Sequence, residues 1–324
     1  MTIRFGRRSV AAGLALAPLW ARAQGALPQR PIRILVPFTP GGSPDVLARL
    51  LAEEFGRRSG QQAVAENRPG AGGNIAAEAV ARAAPDGQTL LLLLSNNIVA
   101  VNPHLGPVPF DPLNDFTPLA LLARSPLAIL VGPDSPARDI PGLLALARQR
   151  NGLLAYASAG VGSPHHLAMA LLCAIGGVEM IHVPFRGTAP ALTELVAGRV
   201  GVMASPVGTA LPLIREGRVR PIAAAGARRL TDLPELPTVA EQALPGYETD
   251  TWLALVGPRG MPEPVARALS EAALATLARA ETREQLLRLG IEPDAGTPGE
   301  LSALIRRDHA RWGEVIRRAG ITAG

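Results

Sequence analysis

The sequence predicts an α/β protein built from two units of sheet and helix. Short apolar runs of strand length alternate with longer segments in which apolar residues recur at helical spacing, a pattern typical of strand-helix-strand units. The chain has 324 residues, of which 48% are hydrophobic and 18% are charged, and this composition excludes a disordered protein. Its length exceeds that of one ordinary domain.

The first unit is predicted from four apolar runs and the turns between them. The first run leads through Gly41-Gly42-Ser43-Pro44 into a helix that stops at Gly60. A segment rich in Pro, Asn and Asp, residues 102–118, is expected to wrap the surface. The predicted strands of this unit are residues 32–38, 62–65, 89–94 and 119–123, and its second helix is 75–83.

A second unit is predicted to begin after the chain crosses near Arg124, as a second parallel sheet with its own helices. Its expected strands are residues 128–131, 153–157, 180–183, 200–203 and 222–225, and its expected helices are 143–150, 164–175, 189–197 and 209–216. The segments left over are a strand at 252–256 and helices at 264–289 and 298–319. Their simplest packing returns them to the first unit, which gives one domain of residues 24–124 plus 251–324, another of 125–250, and a hinge.

The N-terminus has the layout of a secretory signal peptide. A basic segment (2–8), an apolar run (10–20) and Ala21-Arg22-Ala23 follow in order, so residues 1–23 are predicted to be removed before Gln24. Both the general and the twin-arginine export routes remain open. Because Cys173 is the one cysteine, the chain can form no internal disulfide, and a periplasmic location fits best.

The charge balance argues against nucleic-acid binding as the main function. All 32 basic residues are arginines, and four of them lie in the predicted signal peptide. The remainder of the chain has 28 basic and 27 acidic residues, and aromatic residues make up only 3% of the chain. It therefore lacks both the excess positive charge and the stacking side chains that such binding requires.

One sequence pattern, a Ser or Thr close to a Pro, recurs at four predicted strand ends, where a helix should begin. A Ser or Thr close to a Pro suits a helix start, and the backbone amides there lie at the positive end of the helix dipole. Such ends attract anions, and in open parallel sheets they face the ligand site. A clamp for carboxylates is the prediction, with plain helix capping as the alternative. The four turns are residues 41–44, 160–164, 186–190 and 205–208.

Enzymatic and metal sites have little support in the sequence. His165 and His166 are adjacent and point about 100° apart on a helix, and the motif HExxH is missing. There is no G-x-S-x-G nucleophile motif, and a Walker motif is impossible because the chain has no lysine. We expect no catalytic residue, no metal and no cofactor.

Several long, ordered motifs resemble one known family. VPFTPGGSPDVLARLLAEEFG, ENRPGAGGNIAAEAVARAAPDGQTLL, YASAGVGSPHHLA and HVPFRGTAPALTELVAGRV are the strongest, and NPHL, LPTVAEQALPGYE and the segment 252–262 extend the likeness over nearly all of the mature chain. They resemble the substrate-binding proteins of tripartite tricarboxylate transporters, the Bug family. The resemblance implies a monomeric periplasmic receptor, not an enzyme, with a two-domain periplasmic-binding-protein fold of the type II kind. Two lobes joined by a hinge would close like a Venus flytrap on a small carboxylate and present it to a membrane permease.

The resemblance also implies the ligand-binding residues. Gly41, Gly42 and Ser43 are expected to donate hydrogen bonds, whereas Asp45 is expected to order the helix start. Arg186 either binds a ligand carboxylate or is a rim charge or interdomain salt-bridge partner. Ser205 stands where many relatives carry Asp, which makes an amino-acid ligand less favoured. The full set is Phe38, Thr39, Gly41, Gly42, Ser43, Asp45, Ser95, Asn96, Ala159, Gly162, Ser163, His166, Arg186, Gly187, Thr188 and Ser205.

The ligand class stays open among dicarboxylates, tricarboxylates and aromatic acids. The alternative function is a periplasmic sensor that presents its loaded form to a membrane kinase. A hydrolase on the same fold is the third hypothesis, and the missing triad argues against it.

Overall fold

The computed structural model describes residues 27–38, 40 and 43–322, which fold as a mixed α/β protein. Within these residues, the strands are β1 (Ile32–Val36), β2 (Ala63–Asn67), β3 (Thr89–Leu94), β4 (Phe116–Val131), β5 (Ala155–Ser158), β6 (Ile181–Pro184), β7 (Val202–Pro206), β8 (Arg220–Ala224), β9 (Asp250–Pro258) and β10 (Glu292–Gly296). The helices are α1 (Ser43–Ser59), α2 (Asn74–Ala81), α3 (Ser95–Ile98), α4 (Asn102–Leu105), α5 (Ile140–Gln149), α6 (Pro164–Gly176), α7 (Thr188–Val196), α8 (Val207–Arg215), α9 (Val239–Gln242), α10 (Glu263–Ala278), α11 (Ala280–Arg288) and α12 (Pro298–Arg318).

Lobe 1 is the part of the fold built on the sheet with strand order β2-β1-β3-β9-β4, with β10 also paired to β4. β1 runs parallel to β2 and β3, whereas β9 runs antiparallel to β3 and β4. Alternate residues of β1 enter different cores: Ile34 packs in one cluster and Leu35 in another. Strands buried on both faces need apolar residues at consecutive positions, which explains the leucine run of β3.

Lobe 2 is built on the sheet with strand order β6-β5-β7-β4, with β8 also paired to β4. β5 runs parallel to β6 and β7, but β4 is antiparallel to both β7 and β8. The expectation of a wholly parallel second sheet was therefore wrong. The reason is that β4 enters this sheet from lobe 1 and keeps its direction.

A single long strand joins the two lobes. The sequence suggested two separate strands, at 119–123 and 128–131, but both belong to the 16-residue β4. Its pairing with β9 continues through Pro126, and its pairing with β7 starts at Leu127. Arg124 and Ser125 have the composition of a loop, yet both pair with β9 across the junction. The division of the chain into domains at residues 124 and 250 stays a prediction.

The C-terminal helix α12 contacts both lobes. Leu301 and Leu304 pack in a core of lobe 1, whereas Trp312 and Ile316 pack in the main core of lobe 2. The sequence placed this segment with the first unit, and in the structure it also packs against the main core of lobe 2. An amphipathic helix of 21 residues is long enough to place one apolar stripe on two neighbouring cores.

Three further elements differ from the sequence-based expectation. The helix expected over residues 264–289 is two helices, since Arg279 has extended backbone angles between α10 and α11. Strand β10 was not expected, and the segment after residue 102 contains the short helix α4. Among the described residues, no helix combines the length and the apolarity needed to cross a membrane.

Candidate functional site

Four helix starts occupy the positions that the recurring turns predicted. Along the chain, α1 follows β1, α6 follows β5, α7 follows β6, and α8 follows β7 with no residue between them. Because β5, β6 and β7 are parallel and adjacent, their carboxyl ends lie at one edge of the lobe 2 sheet. Thr39, Gly41 and Gly42 lie outside the described residues, and so does the side chain of Ser43.

Only one of the three lobe 2 turns uses the predicted side-chain cap. Ser163 Oγ accepts a hydrogen bond from His166 N at 3.3 Å. The residue before α7 is Gly187, with φ 118°, and Thr188 is already the first helical residue. Neither α7 nor α8 has a side-chain cap, so the interpretation of Thr188 and Ser205 as caps was wrong. The first amides of α7 therefore receive no side-chain acceptor from the described residues.

The fourth turn is closed by the other lobe. A Cβ at Gly208 would overlap the carbonyl oxygen of Leu289 and the backbone of Gly290, which follow α11. Ser205 is fully buried in β7, and its hydroxyl lies 3.4 Å from the carbonyl oxygen of Pro206. This turn is a packed contact between the lobes, and a ligand role for Ser205 stays a prediction.

The loop between β5 and α6 is held by its own hydrogen bonds. Gly160 N donates to Ser158 Oγ at 3.0 Å, and Ser163 Oγ donates to Gly160 O at 2.6 Å. Gly162 N donates to His166 Nδ1 at 3.1 Å. In this structure the Ser163 hydroxyl and the Gly162 amide, both expected to face a ligand, are therefore used within the loop. The half-buried Ala159 precedes this set of bonds.

The same loop touches lobe 1. A Cβ at Gly162 would lie 2.9 Å from Leu105 Cδ1 and 3.5 Å from Val101 Cγ1, and the φ of Gly162 is +71°. Val101 and Leu105 flank and end α4, in the segment that was expected only to wrap the surface. The lobes are therefore in van der Waals contact beside the candidate site.

On the lobe 1 side, the end of β2 is tied to the start of α1. Asp45 is 4% exposed, and its carboxylate accepts from Arg49 at 3.0 and 3.1 Å. Asn67 Nδ2 donates to Asp45 Oδ1 at 3.0 Å and to the carbonyl oxygen of the half-buried Phe38 at 3.1 Å. These bonds bracket the segment from Phe38 to Ser43. Sequence reasoning gave Asn67 no role in the site; its register opposite Val36 on β1 brings its side chain within reach of Phe38 and Asp45.

Three aromatic rings stack behind the loop of lobe 2. The rings of His166 and His182 are 3.8 Å apart with an angle of 7° between them, and Tyr156 stacks on His182 at 5.0 Å. Burial and, to a smaller extent, the charge of His182 lower the pKa of His166 to about 4. Burial also lowers the pKa of His182. These imidazoles are therefore neutral near pH 7, and His166 acts as the acceptor for Gly162 N.

Ser158 and His182 form a pair that superficially resembles a hydrolase dyad. Ser158 Oγ and His182 Nε2 are 2.6 Å apart, but Ser158 is fully buried and its oxygen also accepts from Gly160 N. Within the described residues, no carboxylate hydrogen-bonds to His182, and no three acidic, His or Cys side chains are grouped as a metal ion would need. The pair orders the loop.

His165 connects the starts of two helices. Its Nε2 lies 3.0 Å from Thr188 Oγ1, so the first turn of α6 is linked to the first residue of α7. His165 is 6% exposed, and burial lowers its pKa to about 4. Its other ring nitrogen, Nδ1, is buried and has no hydrogen-bond partner in the described part of the chain. Nothing in the sequence distinguished this histidine from its neighbour.

The remaining predicted residues lie at the edges of the site. Arg186 is exposed, and no described carboxylate is close enough to form an ion pair with it, so the interdomain salt bridge is not formed. Ser95 and Asn96 begin α3, but their side chains lie outside the description. Two buried side-chain oxygens have no hydrogen-bond partner in the part of the chain that the structure describes: Asn97 Oδ1 in α3 and Thr251 Oγ1 in β9. Asn97 belongs to the loop of residues 95–97 that the family resemblance implies as a wall of the site, whereas sequence reasoning did not name Thr251.

With the geometry established, comparison with known proteins identifies the family. A model described as "Tripartite tricarboxylate transporter family receptor" matches residues 47–321. The chain belongs to this receptor family. The resemblance inferred from the motifs is thereby confirmed, and the family consists of substrate-binding receptors, not of enzymes.

Relatives in sequence and in structure agree with this assignment. The chain is 42% identical over 316 residues to the "UPF0065 protein in tcbD-tcbE intergenic region" of Pseudomonas sp. (strain P51), covering 96% of this chain and 94% of that protein. The structure described as R. palustris Rpa4515 with adipate has a TM-score of 0.78 at 37% identity, with 90% and 98% of the two chains covered. MatC from Rhodopseudomonas palustris with bound malate has a TM-score of 0.75 at 35% identity, with 89% and 99% covered. The receptor therefore has the two-lobed periplasmic-binding-protein fold.

Proposed function

We propose that this receptor captures a small organic dicarboxylate between its lobes and delivers it to the membrane subunits of a tripartite tricarboxylate transporter. The observation that carries the proposal is the convergence of the α6 and α7 starts at one sheet edge, beside a loop in contact with lobe 1. Helix starts offer backbone N–H groups and the positive end of a dipole, which suit carboxylate oxygens. Adipate and malate, named with two relatives, are both dicarboxylates.

Each lobe would bind one of the two carboxylates of the ligand. The segment from Phe38 to Ser43, held by Asn67 and Asp45, would bind one carboxylate, and the start of α7 would bind the other. The exposed Arg186 would add a charge-assisted bond when the lobes close. Strand β4 pairs with β9 of lobe 1 up to Pro126 and with β7 of lobe 2 from Leu127 onward. Bending of β4 near Pro126 would therefore let the two lobes move as two rigid bodies.

Location and partner follow from the same proposal. Residues 1–23 would direct the chain to the periplasm and be removed before Gln24. The loaded, closed receptor would act as a monomer and present to the transporter a surface that the open form lacks. Ligand binding would stabilise that closed state by its differential affinity for it.

The test is a thermal-shift screen of the mature protein, followed by calorimetric titration. Adipate, malate and citrate are the acids, and adipamide, which has the carbon chain of adipate without charge, is the matched control. A ligand present at a hundred times its Kd stabilises the folded state by about 2.7 kcal/mol, which raises the Tm by several degrees. If adipamide or a neutral sugar raised the Tm and none of the acids did, the carboxylate assignment would be wrong.

The delivery step needs a separate measurement. Membranes containing the cognate transporter should retain the receptor in the presence of the acid that binds, and retain much less without it. Equal retention in both conditions would contradict delivery by the loaded state. Retention by membranes that contain a sensor kinase but no transporter would assign the receptor to signalling instead.

A further inference from the structure

Among the described residues, the Thr188 hydroxyl has one hydrogen-bond partner, and that partner restricts its chemistry. Thr188 is half-exposed at the start of α7, and the hydrogen bond that its hydroxyl makes within the described residues is with His165 Nε2. A threonine hydroxyl can donate one hydrogen bond and accept two. Which of these it offers to a ligand depends on whether His165 donates to it or accepts from it.

His165 carries only one N–H, so two arrangements are possible. Burial keeps the imidazole neutral near pH 7, and a neutral imidazole has one protonated and one bare nitrogen. In the first arrangement Nε2–H donates to Thr188 Oγ1, and the buried Nδ1 is a bare lone pair. In the second, the Thr188 hydroxyl donates to Nε2, and the buried Nδ1 carries a hydrogen with no acceptor.

The orphaned Nδ1 decides between them. Orphaned buried N–H groups are rare in proteins, and under-used acceptors are somewhat less rare. His165 is 6% exposed, and its Nδ1 is buried with no hydrogen-bond partner among the described residues. The first arrangement is therefore favoured, because it leaves a bare buried nitrogen and not a buried N–H without an acceptor.

We propose that His165 is a positioning residue: its Nε2–H donates to Thr188 Oγ1, so that the hydroxyl hydrogen of Thr188 is left to donate to the ligand. This inference rests on the proposed function, in which the start of α7 faces the ligand. It deepens that function by defining the group bound there: an oxygen that can accept the hydroxyl hydrogen, such as a carboxylate oxygen. The hydroxyl hydrogen and the positive end of the α7 dipole then both attract the same carboxylate oxygen.

The histidine tautomer can be observed directly, without any ligand. Long-range 1H–15N correlation spectra at pH 8 distinguish imidazoles protonated at Nε2 from those protonated at Nδ1, and a His165→Gln variant assigns the signals of His165. The chain contains references of both kinds: His104 Nε2 donates to the carbonyl oxygen of His309, and His309 Nδ1 donates to that of Val99. We expect His165 to match His104. A spectrum like that of His309 would overturn the proposal.

Binding of adipate gives a second readout. Thr188→Val should weaken binding about tenfold or more, the loss of one hydrogen bond to a charged group, whereas Thr193→Val, on the exposed face of the same helix, should have no effect. His165→Leu should also weaken binding, and His165→Gln, whose amide can donate from a similar position, should restore most of it. The double variant His165→Leu/Thr188→Val should bind no more weakly than Thr188→Val alone.

The outcomes separate this inference from the proposed function. If no acid binds the wild-type protein, the proposed function fails, but the spectrum still decides the role of His165. If adipate binds and the His165→Leu effect simply adds to that of Thr188→Val, His165 does not act through Thr188, and the proposal is wrong.

Discussion

The amide nitrogen Nδ2 of Asn67 lies 3.0 Å from Oδ1 of Asp45 and so joins the last residue of β2 to the first turn of α1. The same nitrogen donates to the carbonyl oxygen of Phe38, at the beginning of the segment that leads into α1. Two ends of one candidate ligand loop are thus held by a single side chain. The buried Asp45 carboxylate needs this donor in addition to Arg49, because an unsatisfied buried charge is strongly unfavourable.

Replacing Asn67 should therefore affect both stability and binding. Asn67→Ala removes a donor from a buried carboxylate and should lower the free energy of unfolding by about 1–3 kcal/mol. Affinity for a dicarboxylate should fall about tenfold, because the loop must then be ordered on binding. Urea denaturation and calorimetry measure the two effects. Asn114→Ala, which removes an exposed bond to Asp111, is the control and should change neither.

Gly162 combines a left-handed backbone with a close contact between the lobes. Gly162→Ala should lower the free energy of unfolding by about 1–2 kcal/mol for the backbone, and by a further amount for the overlap with Leu105. Gly177→Ala is the matched control, since Gly177 has φ +58° and no atom within 4 Å of an added Cβ. The difference between the two variants isolates the interlobe contact. If Gly177→Ala were equally destabilising and ligand affinity were unchanged in Gly162→Ala, the contact would have no energetic role.

The buried histidines predict a fall in stability as the pH decreases. The pKa values of His165 and His166 are lowered to about 4, whereas an unfolded histidine titrates near 6.5. The unfolded state therefore binds more protons between these values, so the stabilisation present above pH 6.5 is lost progressively down to pH 4. A shift of this size corresponds to about 3 kcal/mol for each group.

Urea denaturation at pH 7.5, 6.0 and 5.0 measures this dependence. The His165→Gln variant should show a smaller loss than the wild type over the same range, because one of the two groups no longer titrates. Parallel curves for the two proteins would show that His165 is not held neutral.

The anchor of α12 in lobe 1 should also be measurable. Trp252 Nε1 donates to Asp308 Oδ2 at 2.8 Å, and both residues are buried. Asp308→Ala should lower the free energy of unfolding by about 1–3 kcal/mol because it leaves the indole N–H without that acceptor. Asp308→Asn keeps an acceptor and should have a smaller effect. Equal effects of the two variants in denaturant titrations would show that this hydrogen bond is not what holds α12.

Local patterns in the sequence were sufficient for most elements of the fold. The apolar run of β1, the start of α1 and the cap of α6 by Ser163 depend only on residues close in the sequence, and each is where it was predicted. The predictions that failed have a common cause, which is contact between residues far apart in the chain. Residues 124–126 look like a loop, but pairing with β9, more than a hundred residues away in the chain, holds them in a strand.

Much of the candidate site lay beyond sequence reasoning. The turns at the strand ends were visible, but which of their donors are already used was not. Gly162 N and Ser163 Oγ were expected to face a ligand, yet both are bonded within their own loop. Asn67 and His165 act through partners 22 and 23 positions away, and no periodicity links such positions.

By itself, the sequence determined the α/β class, the places where helices begin at strand ends, and the family, because each follows from local chemistry or from long motifs. Only the tertiary structure decided that β4 and α12 join the two lobes, and which nitrogen and hydroxyl groups remain unpaired at the cleft. The physical reason is that a polar group's hydrogen-bonding state depends on every neighbour within about 3 Å, and folding brings most of those neighbours from distant parts of the chain.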